Sequence, residues 1–103
     1  MSKVAVIARL EAKSGARQAL LDVLSELMGT VESEEGTLLY AFHEATDHDD
    51  VIWAYELYAD QAAFDAHSSS SGMAEMIGKL GGLLGGAPEL HVVRPVTAKG
   101  FDL

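Results

Sequence analysis

Residues 51–67, VIWAYELYADQAAFDAH, place an aromatic-rich strand directly before a short helix. The segment from Val51 to Tyr58 has the β-branched and aromatic content of a strand. Asp60 stands where a helix N-cap is expected, and a helix is predicted from residue 61 to about residue 68. His67 lies near the end of this helix. The residues alone leave it two roles, a chemical group or a histidine that caps helix carbonyls.

The rest of the chain extends this pattern into an α+β fold. The segments 3–10, 37–44 and 89–96 are also predicted as strands. An apolar 3–4 spacing between the first two predicts a helix that Ser14 would cap and Gly36 would end in left-handed geometry. The serine run 68–72 breaks the second helix, and a further helical piece follows it. The order β-α-β-β-α-β predicts a ferredoxin-like subunit that forms one domain over residues 1–103.

Alternation along the strands divides their residues into two faces. We assign to the helix-covered face the more apolar set, which includes Ala8, Tyr40, Phe42, Trp53 and Tyr55. The other set contains four large apolar residues: Ile7, Leu39, Ile52 and Val93. A face open to water should alternate apolar with polar residues, so this second face needs a cover. We therefore expect a homodimer, closed into a dimeric α+β barrel.

Composition excludes several classes of function. Sixteen acidic against seven basic residues give a net charge of −9, which disfavours nucleic acid and anionic membranes as partners. The chain has no cysteine, which removes disulfides, thiolate nucleophiles and cysteine-bound metals. No apolar run reaches the length of a membrane span, and the N-terminal segment lacks the pattern of a signal peptide. The prediction is a cytoplasmic protein.

Two short segments resemble ligand motifs and are rejected. HEATDHDD (43–50) is rich in possible metal ligands, but its spacing fits no fixed ligand pattern, so a solvated hairpin tip is expected and no metal. GKLGGLLGG (78–86) lacks the residue order of a phosphate-binding loop.

Three segments resemble the antibiotic biosynthesis monooxygenase family, whose members are small dimeric α+β barrels. They are Y-E-x-Y-x-D-x-x-A-F-x-x-H-x-x-S from Tyr55 to Ser70, E-x-G-T-L-x-Y from Glu34 to Tyr40, and V-x-A-R-L-x-A-K-x-G from Val6 to Gly15. The family includes quinol oxygenases, haem-degrading enzymes and isomerases. The asparagine of the haem-degrading branch is missing, because this sequence contains none.

The resemblance implies a ligand between sheet and helices, and hence a set of site residues. Trp53, Tyr40, Phe42 and Ala8 would bind the substrate, although aromatic residues also commonly fill cores. His67 matches the family's helix histidine and would act as a base toward a phenolic oxygen, with Tyr55 as the second candidate.

The implied activity is a monooxygenase without cofactor that oxidises a quinol or polyphenolic aromatic with O₂. The alternative is a dimeric small-molecule binding protein or an isomerase without redox chemistry. A third possibility is an inactive protein in which Met73 and Met76 fill the pocket.

Overall fold

The computed structural model describes residues 2–103, which form a four-stranded antiparallel sheet and three helices. The strands are β1 (Val4–Glu11), β2 (Thr37–Glu44), β3 (Val51–Tyr58) and β4 (Glu89–Val93). The helices are α1 (Arg17–Val31), α2 (Gln61–Ser68) and α3 (Ser71–Leu80). The strand order is β2-β3-β1-β4, which confirms the predicted ferredoxin-like subunit. Of the helices in the described range, none is long and apolar enough to cross a membrane.

The core lies between one face of the sheet and the helices. Helix α1 contributes a stripe of buried residues at helical spacing: Leu20, Leu24, Leu27 and Val31. At roughly 1.5–3 kcal/mol for each buried side chain, this stripe contributes on the order of 6–12 kcal/mol. Packing of this stripe on the sheet therefore holds α1 in place.

The strand register decides which residues face the helices. In β1 and β3, Ala8 pairs with Ala54 and Val6 pairs with Glu56, and paired residues project to the same side. Tyr40 of β2 also pairs with Glu56. The even-numbered residues along this part of the sheet therefore face the helices. The odd-numbered residues face away.

This register corrects the predicted assignment of β3. Trp53 pairs with Arg9 and Tyr55 pairs with Ile7, so both lie on the face away from the helices. Ile52, predicted on the open face, is fully buried under the helices instead. The prediction assigned the more apolar set of residues to the helix-covered face. In β3 the odd-numbered residues are the more apolar set, but the even-numbered residues face the helices, so the prediction was wrong.

The face away from the helices is apolar and open in the single chain. Ile7, Leu39 and Val93 lie there as predicted, and Trp53 takes the place that Ile52 was expected to fill. Each keeps close to two-fifths of its surface exposed, for example 38% for Trp53 and 41% for Val93. Large apolar side chains on one continuous face are typical of an interaction surface.

The ends of the helices follow the predictions in part. Asp60 caps α2 by accepting a hydrogen bond from the backbone N–H of Ala63 at 2.9 Å, as expected. Ser14 does not cap α1, whose N-cap is Ala16. Gly36 lies beyond the end of α1 and has no left-handed backbone. Its role is close packing, because a Cβ atom there would overlap the Cβ of Ala63 in α2.

Candidate active site

A cavity of about 320 Å³ lies between the helix-covered face of the sheet and helix α3. Its floor is formed by Ala8 of β1 and Ala54 of β3, which pair with each other at the centre of the sheet. Met73 and Met76 of α3 lie over them. Because two alanines meet where larger side chains would otherwise fill the core, space remains for a ligand. Its size is at the lower end of small-molecule sites.

Aromatic side chains form one wall of the cavity. The rings of Tyr40 and Phe42 meet edge to face, with centroids 5.2 Å apart and planes at 84°. Three of the predicted substrate-binding residues, Ala8, Tyr40 and Phe42, therefore line one cavity together.

Two other predicted site residues do not reach this cavity. Trp53 and Tyr55 lie on the opposite face of the sheet, because both are odd-numbered residues of β3. Their placement in the pocket was therefore wrong, and Tyr55 cannot contact a ligand held there.

Within residues 2–103, Glu56 is the one charged residue among those that line this cavity. It is only 6% exposed, and its Oε1 accepts a hydrogen bond from the hydroxyl of Tyr58 at 2.5 Å. Burial raises the pKa of the Glu56 carboxyl, while the hydrogen bond from Tyr58 and the charge of His67 partly oppose that rise. A carboxylate with a raised pKa in an apolar cavity is a typical general base.

Two tyrosines adjoin Glu56 and keep their protons. Burial raises the pKa of Tyr40 well above its usual value, and the negative charge of Glu56 adds to this. Burial and the hydrogen bond to Glu56 raise the pKa of Tyr58 in the same way. Both hydroxyls are therefore hydrogen-bond donors at neutral pH, and Tyr40 lines the cavity itself.

His67 points toward the sheet from helix α2 and is 2% exposed. Its ring centroid lies 5.2 Å from that of Tyr40 and 5.3 Å from that of Tyr58. Trp53 and Tyr55 lie on the opposite face of the sheet, away from this ring. Phe64, on the same side of α2, packs on Tyr58 with the two ring centroids 5.3 Å apart and anchors the helix.

The imidazole of His67 is held by an acidic partner. Its Nδ1 lies 2.8 Å from Oε1 of Glu34, which also accepts a hydrogen bond from Thr37 Oγ1 at 2.8 Å. Since a carboxylate can only accept, Nδ1 carries the hydrogen. The side chain therefore does not cap helix carbonyls. Its Nε2 is buried and has no hydrogen-bond partner in residues 2–103.

Sequence reasoning missed Glu56 and Glu34. The signal for Glu56 was a single acidic residue inside the apolar strand VIWAYELY. The prediction put this residue on the face of the sheet that the helices do not cover. Glu34 is distant from His67 along the chain, and its motif indicated only the family. A second cavity, of about 250 Å³, lies beside α2, and Glu34 and His67 are among the residues that line it.

The acidic hairpin 43–50 has a structural use. Arg17 donates hydrogen bonds at 3.0 Å to the carbonyls of Ala45 and His48, and forms an ion pair with Glu44 at 2.9 Å. These contacts fasten the hairpin to the start of α1. Among residues 2–103, no cluster of three or more metal-ligating side chains could hold a metal ion.

Comparison with known proteins gives a consistent result. The sequence profile of the family described as antibiotic biosynthesis monooxygenase matches residues 3–79. Protein Rv0793 of Mycobacterium tuberculosis, which carries a provisional monooxygenase name, is 30% identical over 95 residues, 92% of this chain and 93% of that protein.

Solved structures agree in fold. The structure of Rv0793 has a TM-score of 0.87 at 29% identity, covering 94% of this chain and 98% of its own. NE2512 of Nitrosomonas europaea, a protein of unknown function, has a TM-score of 0.85 at 28% identity, covering 96% of this chain and 94% of its own.

Proposed function

This chain belongs to the antibiotic biosynthesis monooxygenase family, and we propose that it oxidises a quinol or polyphenolic aromatic with O₂, without a cofactor. The observation that carries the proposal is the carboxylate of Glu56 inside an otherwise apolar, aromatic-walled cavity. In this proposal Glu56 is the base that contacts the substrate, a role that the family resemblance implied for His67. Tyr40 takes the donor role suggested for Tyr55.

The chemistry requires only a base, donors and an apolar enclosure. Glu56 removes the proton of a substrate hydroxyl, and the electron-rich anion passes one electron to O₂. The substrate radical and superoxide combine to form a C–O bond, giving a peroxide anion on the ring. Protonated Glu56 returns its proton to the peroxide. The resulting hydroperoxide loses the hydrogen of its ring carbon and breaks its O–O bond, which releases water and leaves a carbonyl. One oxygen atom of O₂ ends in the substrate and the other in water.

Each part of the cavity has a task in this scheme. The hydroxyl of Tyr40 donates to the developing oxyanion, and a donor placed before reaction avoids the cost of reorganising solvent. The methionines of α3 supply flexible apolar contacts to a flat ligand. The apolar lining of the cavity strengthens the interaction of Glu56 with the substrate hydroxyl.

The same proposal includes a homodimer. The open face carries Ile7, Leu39, Trp53 and Val93, and a second copy would cover it with an equally apolar surface. A cytoplasmic location stays a prediction from the sequence.

An isomerase is a second candidate, favoured by one observation. A buried carboxyl with a raised pKa, beside tyrosine donors, can also move a proton between two atoms of a bound carbonyl compound. Oxygen consumption separates the two candidates, because isomerisation uses none.

The test is oxygen uptake with a panel of hydroquinones and anthrone-like compounds, using the parent and a variant with a filled cavity. Ala8→Leu places three extra carbons on the cavity floor and should abolish both binding and uptake. Ala62→Leu adds the same atoms to an exposed position on α2 and should leave both unchanged. Binding of aromatics without oxygen uptake by the parent would refute the monooxygenase.

A further inference from the structure

We propose that the substrate carries a neutral apolar arm, an alkyl or prenyl chain, that leaves the cavity between Ile77 of α3 and Leu90 of β4 and lies along β4. The inference rests on the proposed function, because it assigns the part of the substrate that the base does not contact. The aromatic ring fills the cavity beside Glu56, and the arm binds outside the cavity.

The first step of the argument is the direction of the cavity, which runs across the strands. One row of paired residues crosses the whole sheet, and each of its members lines the cavity: Phe42, Ala54, Ala8 and Leu90. Neighbouring strands are about 4.8 Å apart, so the row spans roughly 14 Å. The strand of Glu56 lies two spacings, about 10 Å, from β4. A single ring in contact with Glu56 therefore leaves the β4 end for another part of the ligand.

The second step is that the cavity opens to solvent at this end. Ile77 and Leu90 line the cavity and are each 60% exposed, whereas the floor and the inner wall are buried or half-buried. All five residues of β4 are exposed, so the helices do not cover this strand. Val92 follows Leu90 on the same face of β4 and is 57% exposed. The opening therefore continues into an uncovered apolar strip.

The third step is the chemistry of this strip, which decides the chemistry of the arm. Ile77, Leu90 and Val92 have no polar side-chain atoms, so a charged substituent would lose water there without gaining a side-chain partner. A hydrocarbon chain instead buries apolar surface. From Leu90 to Val92 the strand rises about 7 Å. This length matches about six bonds of an extended chain, since three backbone bonds span about 3.3–3.6 Å.

A second copy of the chain is the competing occupant of this strip. The strip lies on the opposite side of the sheet from Leu39 and Trp53, which belong to the face proposed for the dimer. Ile77 and Leu90 both line the cavity and form its exposed rim. This continuity with the cavity favours part of the ligand over a second copy.

The experiment compares the binding of methylhydroquinone and hexylhydroquinone by isothermal titration calorimetry under nitrogen. A methylene group gains about fourfold in affinity when it is fully buried, and about twofold when one side stays in water. Hexylhydroquinone has five more methylenes, so it should bind the parent about 30- to 1,000-fold more tightly than methylhydroquinone. The measured quantity is the ratio of the two affinities, because damage to the cavity itself would affect both ligands.

Two variants on different elements test the path of the arm. Ile77→Gln removes an apolar contact from α3, and Val92→Gln removes one from β4. Both residues are exposed, so neither change disturbs the core. Each should lower the affinity ratio by about fourfold or more, the contribution of at least one methylene. Val96→Gln, at an exposed position beyond β4, is the matched control and should keep the ratio of the parent.

Three results would overturn the proposal. They are a ratio near one in the parent, a parental ratio in both Ile77→Gln and Val92→Gln, and light scattering in which Val92→Gln converts an oligomeric parent to a monomer. The last result would assign the strip to a second copy. Binding is measured without O₂, so a protein that shows the expected ratio but consumes no oxygen would refute the proposed function and leave the arm in place.

Discussion

Replacement of Glu56 by glutamine should lower activity and raise stability together. Glutamine keeps the shape of the side chain and its acceptor oxygen for Tyr58, but it cannot accept a proton from a substrate. A general base typically contributes about 10²–10⁴-fold, equivalent to roughly 3–5 kcal/mol of the activation barrier. Oxygen uptake on a substrate that the parent oxidises should fall by that factor.

The gain in stability follows from the raised pKa of Glu56. Because burial raises the pKa in the folded state above that of the unfolded chain, the folded state binds the proton more tightly. The resulting stabilisation is complete below the unfolded pKa and is lost as pH rises through the folded pKa. Between the two values, the free energy of unfolding falls by up to about 1.4 kcal/mol per pH unit.

The assay is urea unfolding of the parent and Glu56→Gln from pH 4 to 8, beside steady-state oxygen uptake. The difference in unfolding free energy between the two proteins should grow in favour of the variant as pH rises through this window. Subtraction removes the contribution of the other ionisable groups. A variant that keeps full activity, or whose advantage shrinks with rising pH, would refute the role of Glu56.

Two further predictions concern packing and assembly. Gly36→Ala should destabilise the fold by about 1–3 kcal/mol in urea unfolding, because the new Cβ overlaps Ala63, whereas Gly78→Ala, on an exposed helical site with open space, should stabilise it by about 0.5–1 kcal/mol. Equal effects would contradict the close packing at Gly36. Leu39→Glu should convert the proposed dimer to a monomer in light scattering at micromolar concentration and shift the emission of Trp53 to the red, while Ile77→Glu on α3 should leave the oligomeric state unchanged. A parent protein that is already monomeric would refute the dimer.

The secondary structure was predictable because each element carries a local signal. The strands are compact apolar runs, and Asp60 is a cap whose hydrogen bond forms as expected. The geometry at Gly36 was not predictable, since a glycine required for contact with α2 has the same local sequence as one required for a left-handed turn. Local patterns specify elements but not the contacts between them.

The site was predictable only where the face of a strand was assigned correctly. Ala8, Tyr40 and Phe42 belong to β1 and β2, whose orientations were correct, and they line the cavity. The two faces of β3 were exchanged in the prediction. The reason is that the residues facing the helices include Glu56, and a charged residue normally indicates a solvent-facing position. A residue that breaks the pattern of burial is often a functional one, and in β3 it misled the assignment of the whole strand.

The register of β3 explains why neighbouring positions of this strand have different roles. Ala54 and Tyr55 are neighbours in sequence, but Ala54 leaves space for a ligand beside Ala8, while Tyr55 lies beside Ile7 on the open face. A shift of pairing by one residue would put Tyr55 in the cavity and turn Glu56 away from it. The proposed chemistry therefore depends on the pairing of β1 with β3, which puts two alanines opposite each other and a carboxylate two residues farther along the same face.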